Sequence, residues 1–360
     1  MQKIPREWRK LSIKKRFEIP NKYFNLDASE IERIRNISDL KKRLVESAKL
    51  QYETFQDIHT DLTVWIAGYG SDTVVRQLFG SSKNLRELFI KQSEWKWDIQ
   101  PSWQDTKRNI TLPNEISNDL ARETGIHIGD GNLYIQPNEN YRYSISGDLE
   151  NELLFHQGYI YNLMKRLYHC NVYFLIREHK NCVESIYKSK SIAQFKNKIL
   201  GLPSGSKNNI CIPKQIFESP EFARECILGI FDTDFSITSS MAITGKINSL
   251  KLVRQIHYIL SKNNIKHIYQ PYSIFGRFYI NQKGAQRIIE EWGLKNPKHT
   301  SKYLIWKEFG KFIPFTTTSE RLAILEEKLP IEKLEEISRK RKLQFGIQRS
   351  SLDSNQRPTD

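Results

Sequence analysis

The chain has 360 residues, enough for more than one domain and a sizeable core. Hydrophobic residues make up 39% and charged residues 27%, and no apolar run reaches the length of about 18 residues that a membrane span needs. Lys and Arg number 56 against 41 Asp and Glu, and the resulting net charge of +15 favours a nucleic-acid partner over acidic small molecules. The four cysteines show no Cys-x-x-Cys spacing, so we expect free thiols in a cytoplasmic protein rather than disulfides or a zinc site.

Residues 1–112 are predicted to form a mainly helical region. Apolar residues recur at helical spacing from Leu40 to Phe55, and glycines divide the stretch from Thr63 to Phe89 into short helical segments. The segment from Asp72 to Leu78 is a candidate second helix of a helix-turn-helix-like module. A small helical domain that only packs on its neighbour explains the same pattern equally well.

From about residue 113 to 312 the chain repeats one order of elements. Each half opens with a predicted helix that ends in an aspartate, and a single sequence offset pairs Gly125 with Gly229, Gly129 with Thr233, and Asp130 with Asp234. After each aspartate the pattern predicts a hairpin, an amphipathic helix, a second hairpin and a closing helix.

The expected fold class is therefore α+β, with two pseudo-symmetric α-β-β-α-β-β-α repeats that follow the helical N-terminal region. The first repeat with its linker is assigned to residues 113–215 and the second to residues 216–315. Residues 316–360 are predicted to form a charged helix and, from Ser350 onward, a disordered tail.

The small residues of the two opening helices predict that these helices pack together. Gly125, Gly129, Gly229 and Thr233 would form flat strips that allow a close approach, which brings Asp130 and Asp234 side by side. Adjacent carboxylates repel each other and are good ligands for a hard divalent cation such as Mg²⁺. One such aspartate alone would more often be a turn residue, but the matched pair favours a metal site suited to phosphodiester hydrolysis.

This helix-plus-acid motif, present twice at the head of an α-β-β-α-β-β-α unit, resembles the LAGLIDADG homing endonucleases in their single-chain, two-repeat form. The resemblance implies a homing-endonuclease-like saddle: a monomer with an internal pseudo-twofold axis that cuts both strands of double-stranded DNA with two or more Mg²⁺ ions. Asp130 and Asp234 would be the catalytic metal ligands, helped by the carbonyl groups of Gly129 and Thr233. Lys207 in the linker is the first candidate for an assisting catalytic lysine, and Lys246 and Lys302 are candidates in the second half.

Basic and aromatic residues of the predicted hairpins suit contacts to phosphates and bases. Each one taken singly is more often a solvated strand residue. The candidate DNA-binding residues are Tyr141, Arg142, Tyr143, Arg177, His179, Lys180, Lys188 and Lys246.

Two departures from the family pattern support a second interpretation. Phe235 stands where a glycine usually follows the acid, and we expect it to strain the turn that places Asp234. Cys211 stands where a basic residue usually precedes Ile-Pro in the linker. These changes favour, as the alternative, a catalytically weakened DNA- or RNA-binding regulator or intron maturase. His127 lies one turn before Asp130 and is expected to pack in the helix seam, because Phe231 is its counterpart.

Overall fold

The computed structural model describes residues 6–12, 24, 26–89, 95–136 and 141–354. The chain forms two compact units: Met1–Glu94 with Asp98–Ile110, and Trp95–Trp97 with Thr111–Asp360. Across the described ranges, none of the helices combines the length and the apolar character that crossing a bilayer requires.

The first unit is mainly helical, as predicted. Its helices are α1 (Arg6–Lys10), α2 (Ala28–Arg35), α3 (Leu40–Phe55), α4 (Thr60–Ile66), α5 (Thr73–Phe79), α6 (Ser82–Glu87) and α7 (Trp103–Lys107). The core of this unit contains Ile34, Leu44 and Val75, each fully buried. The predicted second helix of a helix-turn-helix-like module corresponds to α5, which packs into this core through Val75.

The second unit contains the two repeats, and the predicted α-β-β-α-β-β-α order is confirmed in both. The first repeat comprises α8 (Asn118–Asp130), β1 (Gly131–Ile135), β2 (Tyr141–Asp148), α9 (Leu149–Leu154, Phe155–Ile160 and Tyr161–Tyr168, of which the middle segment is a π-helix), β3 (Tyr173–Arg177), β4 (Cys182–Tyr187) and α10 (Lys190–Gln194 and Phe195–Ile199). After the short α11 (Lys214–Phe217), the second repeat comprises α12 (Pro220–Asp234), β5 (Phe235–Ile237), β6 (Ile243–Ile247), α13 (Leu250–Lys262), β7 (His267–Pro271), β8 (Gly276–Ile280) and α14 (Gln282–Arg287 and Ile288–Trp292).

Three further helices follow the repeats: α15 (Pro297–Phe309), α16 (Thr318–Leu325) and α17 (Ile331–Ser354). The last helix extends to Ser354, so residues 350–354 are helical where the sequence predicted disorder. Residues 355–360 of the predicted tail lie outside the described residues.

Each repeat folds its four strands into an antiparallel sheet, ordered β1-β2-β4-β3 in the first half and β5-β6-β8-β7 in the second. The registers correspond: Tyr143 pairs with Tyr187 in the first sheet where Ile243 pairs with Ile280 in the second. Because neighbouring strand residues point to opposite faces, one face of each sheet packs on the helices and the other is free to meet a partner.

Local sequence marks where the two opening helices begin. Ser117 caps α8 by accepting a hydrogen bond from the Leu120 amide, and Ser219 caps α12 by accepting one from the Phe222 amide. Pro220 occupies the first turn of α12, where its missing N–H costs no helical hydrogen bond.

The two opening helices cross through their glycines. A methyl group placed on Gly125 would lie 1.9 Å from the Cys226 carbonyl oxygen, and one placed on Gly229 would lie 2.2 Å from the Arg122 carbonyl oxygen. These two contacts are related by the internal pseudo-twofold, since the offset that pairs Gly125 with Gly229 also pairs Arg122 with Cys226. Backbone therefore meets backbone at the crossing, and a side chain at either glycine would force the helices apart.

Candidate metal centre and nucleic-acid interface

The crossing places the two aspartates at adjacent helix ends. Helix α8 ends at Asp130 and α12 ends at Asp234, and a strand follows each acid directly. Beyond the glycine crossing, Gly129 faces Thr233 so closely that a methyl group on Gly129 would lie 1.9 Å from the Thr233 hydroxyl oxygen and 3.5 Å from the Asp234 carboxyl carbon. The Thr233 hydroxyl turns back and donates to the Gly229 carbonyl at 3.0 Å, which keeps it out of the space between the acids.

The two carboxylates differ in their surroundings. Asp130 is partly buried, and loss of hydration, with repulsion from Asp234 and Glu152, raises its pKa to about 7. Asp234 is more exposed to solvent, and partial loss of hydration raises its pKa against the opposing attraction of Lys207. Ionising Asp130 in the folded protein is therefore costly, and a nearby cation would lower that cost.

Lys207 already supplies one positive charge at this centre. Its ammonium donates hydrogen bonds to the carbonyl oxygens of Gly129 and, at 3.0 Å, Ile128, at the C-terminal end of α8. Burial lowers the pKa of Lys207, while both aspartates oppose that shift. The linker holds the lysine here because the Gly205 amide donates to the Leu133 carbonyl of β1 at 2.9 Å.

A third carboxylate, Glu152 of α9, was missed by the sequence analysis. It is buried and accepts hydrogen bonds from the Asn296 side chain at 2.9 Å and from the Lys298 ammonium at 3.3 Å. Asn296 also donates to the Asp232 carbonyl at 2.7 Å, so the start of α15 joins the two repeats beside Asp130. Nothing in the helical spacing around Glu152 signals this position, because its partners come from a segment far along the chain.

Lys302, a sequence candidate, lies one turn further along α15 than Lys298. Burial, with repulsion from Arg321 and Lys298, lowers the pKa of Lys302 to about 8. Within the described ranges, no cluster of three or more His, Cys, Asp or Glu side chains is arranged to hold a metal ion.

Tyr143 is placed differently from the sequence prediction of a DNA contact. It is fully buried, and its hydroxyl donates to the Glu123 carboxylate at 2.7 Å. The ring stacks on His127, with centroids 5.0 Å apart, which places His127 in the core as a packing residue. The prediction for Tyr143 is wrong because the strand alternation sends Arg142 and Tyr143 to opposite faces of the sheet.

The outer face of the first sheet carries two of the predicted arginines around a carboxylate. Arg142 of β2 and Arg177 of β3 both donate to Glu184 of β4, the strand that lies between theirs. Tyr141 is partly exposed, and the remaining first-half candidates are exposed: His179, Lys180 and Lys188.

The outer face of the second sheet forms a groove of about 700 Å³ that reaches Asp234. It is lined by Asp234, Ser236, Thr244, Gly245, Lys246, Ile268, Gln270, Arg277, Phe278 and Tyr279. Lys246 was predicted from the sequence, whereas Arg277, Gln270 and Tyr279 were not. The alternation of Arg277 and Tyr279 with buried Phe278 and Ile280 could have identified these two, since β8 has a regular exposed-buried pattern.

Phe235 does not strain the turn after Asp234, contrary to the sequence expectation. Its φ of −103° and ψ of 163° are ordinary extended values, and its ring packs 4.4 Å from that of Phe231. Space for the ring exists because Gly245 lies opposite it, where an added methyl group would come within 2.6 Å of the ring. Cys211, the other departure, is exposed in the linker.

No family model matches the chain, and no curated protein matches it. Among solved structures, the chain is similar to the homing endonuclease I-DmoI in complex with DNA and Mn (14% identity, 50% of this chain, 99% of that chain, TM-score 0.39). It is also similar to I-SmaMI bound to uncleaved DNA target in the presence of calcium ions (11% identity, 62% of this chain, 97% of that chain, TM-score 0.37) and to the N-terminal LAGLIDADG domain of DUF199/WhiA (14% identity, 49% of this chain, 82% of that chain, TM-score 0.35).

Proposed function

We propose that this protein is a LAGLIDADG-type, site-specific endonuclease that hydrolyses double-stranded DNA with divalent metal ions. The observation that carries the proposal is the convergence of Asp130 and Asp234 at the ends of two glycine-crossed helices. The cationic groove beside Asp234 and the net charge of +15 favour DNA as the partner.

The residues at the centre fit a divalent cation. Loss of hydration, with repulsion from Asp234 and Glu152, raises the pKa of Asp130, and a bound cation would oppose that shift by favouring the ionised carboxylate. The Lys207 ammonium on the Gly129 carbonyl occupies a position that a cation favours. Asp130, Asp234 and the carbonyl groups of Gly129 and Thr233 would hold the ion, with water and phosphate oxygens completing its ligands. A bound Mg²⁺ would activate water and neutralise charge on the phosphate.

Other residues of the chain would prepare the centre. Lys207 would exchange the Gly129 carbonyl for a phosphate oxygen when DNA and metal bind. Asn296 and Lys298 would fix the position of the Glu152 carboxylate, whose negative charge acts on Asp130. The outer sheet faces would fix the position of the duplex along the two acids.

A binding selection followed by a cleavage assay tests this function. The protein would first enrich binding sites from a randomised duplex library in Ca²⁺, and the enriched duplex would then receive Mg²⁺. We expect a discrete double-strand cut, and a loss of cutting by about 100-fold or more in Asp130→Asn and in Asp234→Asn. Asp119→Asn is the matched control, because Asp119 lies on α8 but forms an exposed ion pair with Arg166. Undiminished cutting in either of the first two variants would refute the assignment.

One observation favours the alternative of a non-cleaving DNA- or RNA-binding regulator or maturase. The Gly129 carbonyl, an expected metal ligand, is already bound by Lys207. If this contact persists on nucleic acid, the chain would bind its target without metal. Equal affinity with and without Mg²⁺, together with an absence of nicking under Mg²⁺ or Mn²⁺, would establish that alternative.

A further inference from the structure

The two halves differ at the tips of their second hairpins. The tips have equal length, since β3–β4 closes at the pair Arg177 and Cys182 and β7–β8 closes at the pair Pro271 and Gly276. The first tip is polar, with the sequence Glu-His-Lys-Asn, whereas the second is apolar, with the sequence Tyr-Ser-Ile-Phe. Tyr272, Ile274 and Phe275 are called the apolar tip below.

The apolar tip projects into solvent from a well-packed base. The side chain of Ile274 is 74% exposed, the largest exposed fraction of any large hydrophobic residue in the described chain, and Tyr272 is 43% exposed. The Tyr272 amide donates to the Phe275 carbonyl at 2.7 Å, which closes the turn. At the base, Gly276 lies so close to Val253 that an added methyl group would come within 2.7 Å. Such a held, exposed apolar cluster is typical of an interaction site.

Cations surround the rings of the apolar tip. The Tyr272 and Phe275 rings stack at 4.5 Å, and the Arg277 guanidinium lies 5.8 Å and 5.7 Å from their respective centroids. The Lys246 ammonium lies 4.4 Å from the Phe275 ring. Arg277 and Lys246 also line the groove that reaches Asp234, so the tip continues a cationic surface.

This combination identifies the partner by its chemistry. Duplex DNA offers phosphates to the cations and flat apolar base faces to an exposed aliphatic or aromatic side chain. The cations continue from the tip along the groove to Asp234, an acid of the proposed cleavage centre, so one duplex would contact both. Aliphatic wedges are used by DNA-binding proteins to open a base step, and aromatic rings to stack on an unstacked base.

We propose that the apolar tip inserts into the DNA held by the second sheet, with Ile274 opening a base step and Tyr272 stacking on an exposed base. This inference rests on the proposed DNA binding. The second half would then deform the duplex, whereas the polar tip of the first half would contact the duplex without unstacking its bases.

Permanganate footprinting tests the proposal, because permanganate oxidises thymines that have lost their stacking. The probe is a set of duplexes enriched from a randomised library in Ca²⁺, which prevents cutting from obscuring the footprint. We expect a hyper-reactive thymine at one fixed position on one side of the site, lost in Ile274→Ser and retained in Tyr272→Ala, because Ile274 opens the base step whereas the Tyr272 ring covers the exposed base. We also expect each variant to bind about ten-fold more weakly than the unaltered protein.

Leu343→Ser is the matched control, because Leu343 is 68% exposed on α17 and the change removes a comparable aliphatic surface. It should leave both the footprint and the affinity unchanged. Two results would overturn the proposed insertion but not the proposed DNA binding: enriched duplexes that show no reactive thymine, or an Ile274→Ser variant with unchanged DNA affinity. Either result would indicate a protein partner for the apolar tip. Failure to enrich any duplex would overturn the proposed DNA binding as well.

Discussion

The two repeats have the same backbone order but fill their cores with different chemistry. In the first half, both oxygens of the buried Glu123 carboxylate accept a hydrogen bond from the Lys196 ammonium at 2.6 Å. One of them also accepts a hydrogen bond from the Tyr143 hydroxyl at 2.7 Å. In the second half, Ile227 and Ile288 take the positions of Glu123 and Lys196, and both are fully buried. The fold itself therefore does not require the buried ion pair.

The difference extends from the core to the surfaces of the two halves. Glu184 lies at the centre of the first outer sheet face, where the corresponding position of the second is Arg277. Asp130 is partly buried while Asp234 is more exposed. A shared scaffold can thus hold two specialised halves, because the strand and helix pattern sets the fold while individual residues set polarity and charge.

Removing one partner of the buried pair tests how far the first core depends on charge. We expect Lys196→Met to lower the free energy of unfolding by about 3–5 kcal/mol, because it leaves the Glu123 carboxylate buried without a cation. Chemical denaturation monitored by circular dichroism would measure the loss.

The double variant Glu123→Leu with Lys196→Met separates charge from packing. It should be less destabilised than the sum of the two single variants, since it removes both charges together. In the second half, Ile288→Met changes the corresponding position without exposing a charge, and should cost less than about 1.5 kcal/mol. Equal losses for Lys196→Met and Ile288→Met would contradict the comparison.

The two acids should respond differently to pH in the absence of divalent metal. Because the pKa of Asp130 is raised to about 7 in the folded protein from an ordinary value of 3.8, its stabilising contribution is complete below pH 3.8 and is lost as the pH rises through 7. Asp130→Asn removes that loss. We expect the variant to be only about 2 kcal/mol more stable than the unaltered protein at pH 8, because water that reaches part of the Asp130 carboxylate reduces the free-energy cost of ionising it. The difference in stability should vanish near pH 4.

The matched variant Asp234→Asn should give a smaller gain at pH 8, because its carboxylate is more exposed. Thermal unfolding across pH 4–8 would measure both, and added Mg²⁺ should stabilise the unaltered protein more than either variant. A gain for Asp234→Asn equal to that for Asp130→Asn would show that burial does not distinguish the two centres.

The repeat made the fold and the two acids predictable, because small residues and an acid at one offset imply equivalent helices. The groups around those acids were not predictable in the same way. Glu152 reaches Asn296 only through tertiary packing, and no local pattern links them. The expectation that Phe235 strains its turn was wrong, because the fit of its ring depends on Gly245 in another strand. The alternation of exposed and buried residues along β8 could have identified Arg277. The same alternation along β2 places Arg142 and Tyr143 on opposite faces of the first sheet.

The smallest expected effect concerns the charges of the two outer sheet faces. Glu184→Gln should free Arg142 and Arg177 from their carboxylate and raise affinity for random-sequence duplex several-fold. Arg277→Gln should lower it several-fold, because a groove cation is lost. Titrations at several salt concentrations would check both: the slope of log affinity against log salt should steepen for Glu184→Gln and become shallower by about 0.9 for Arg277→Gln. If both variants shift the slope in the same direction, the two faces do not differ in the way that Glu184 and Arg277 imply.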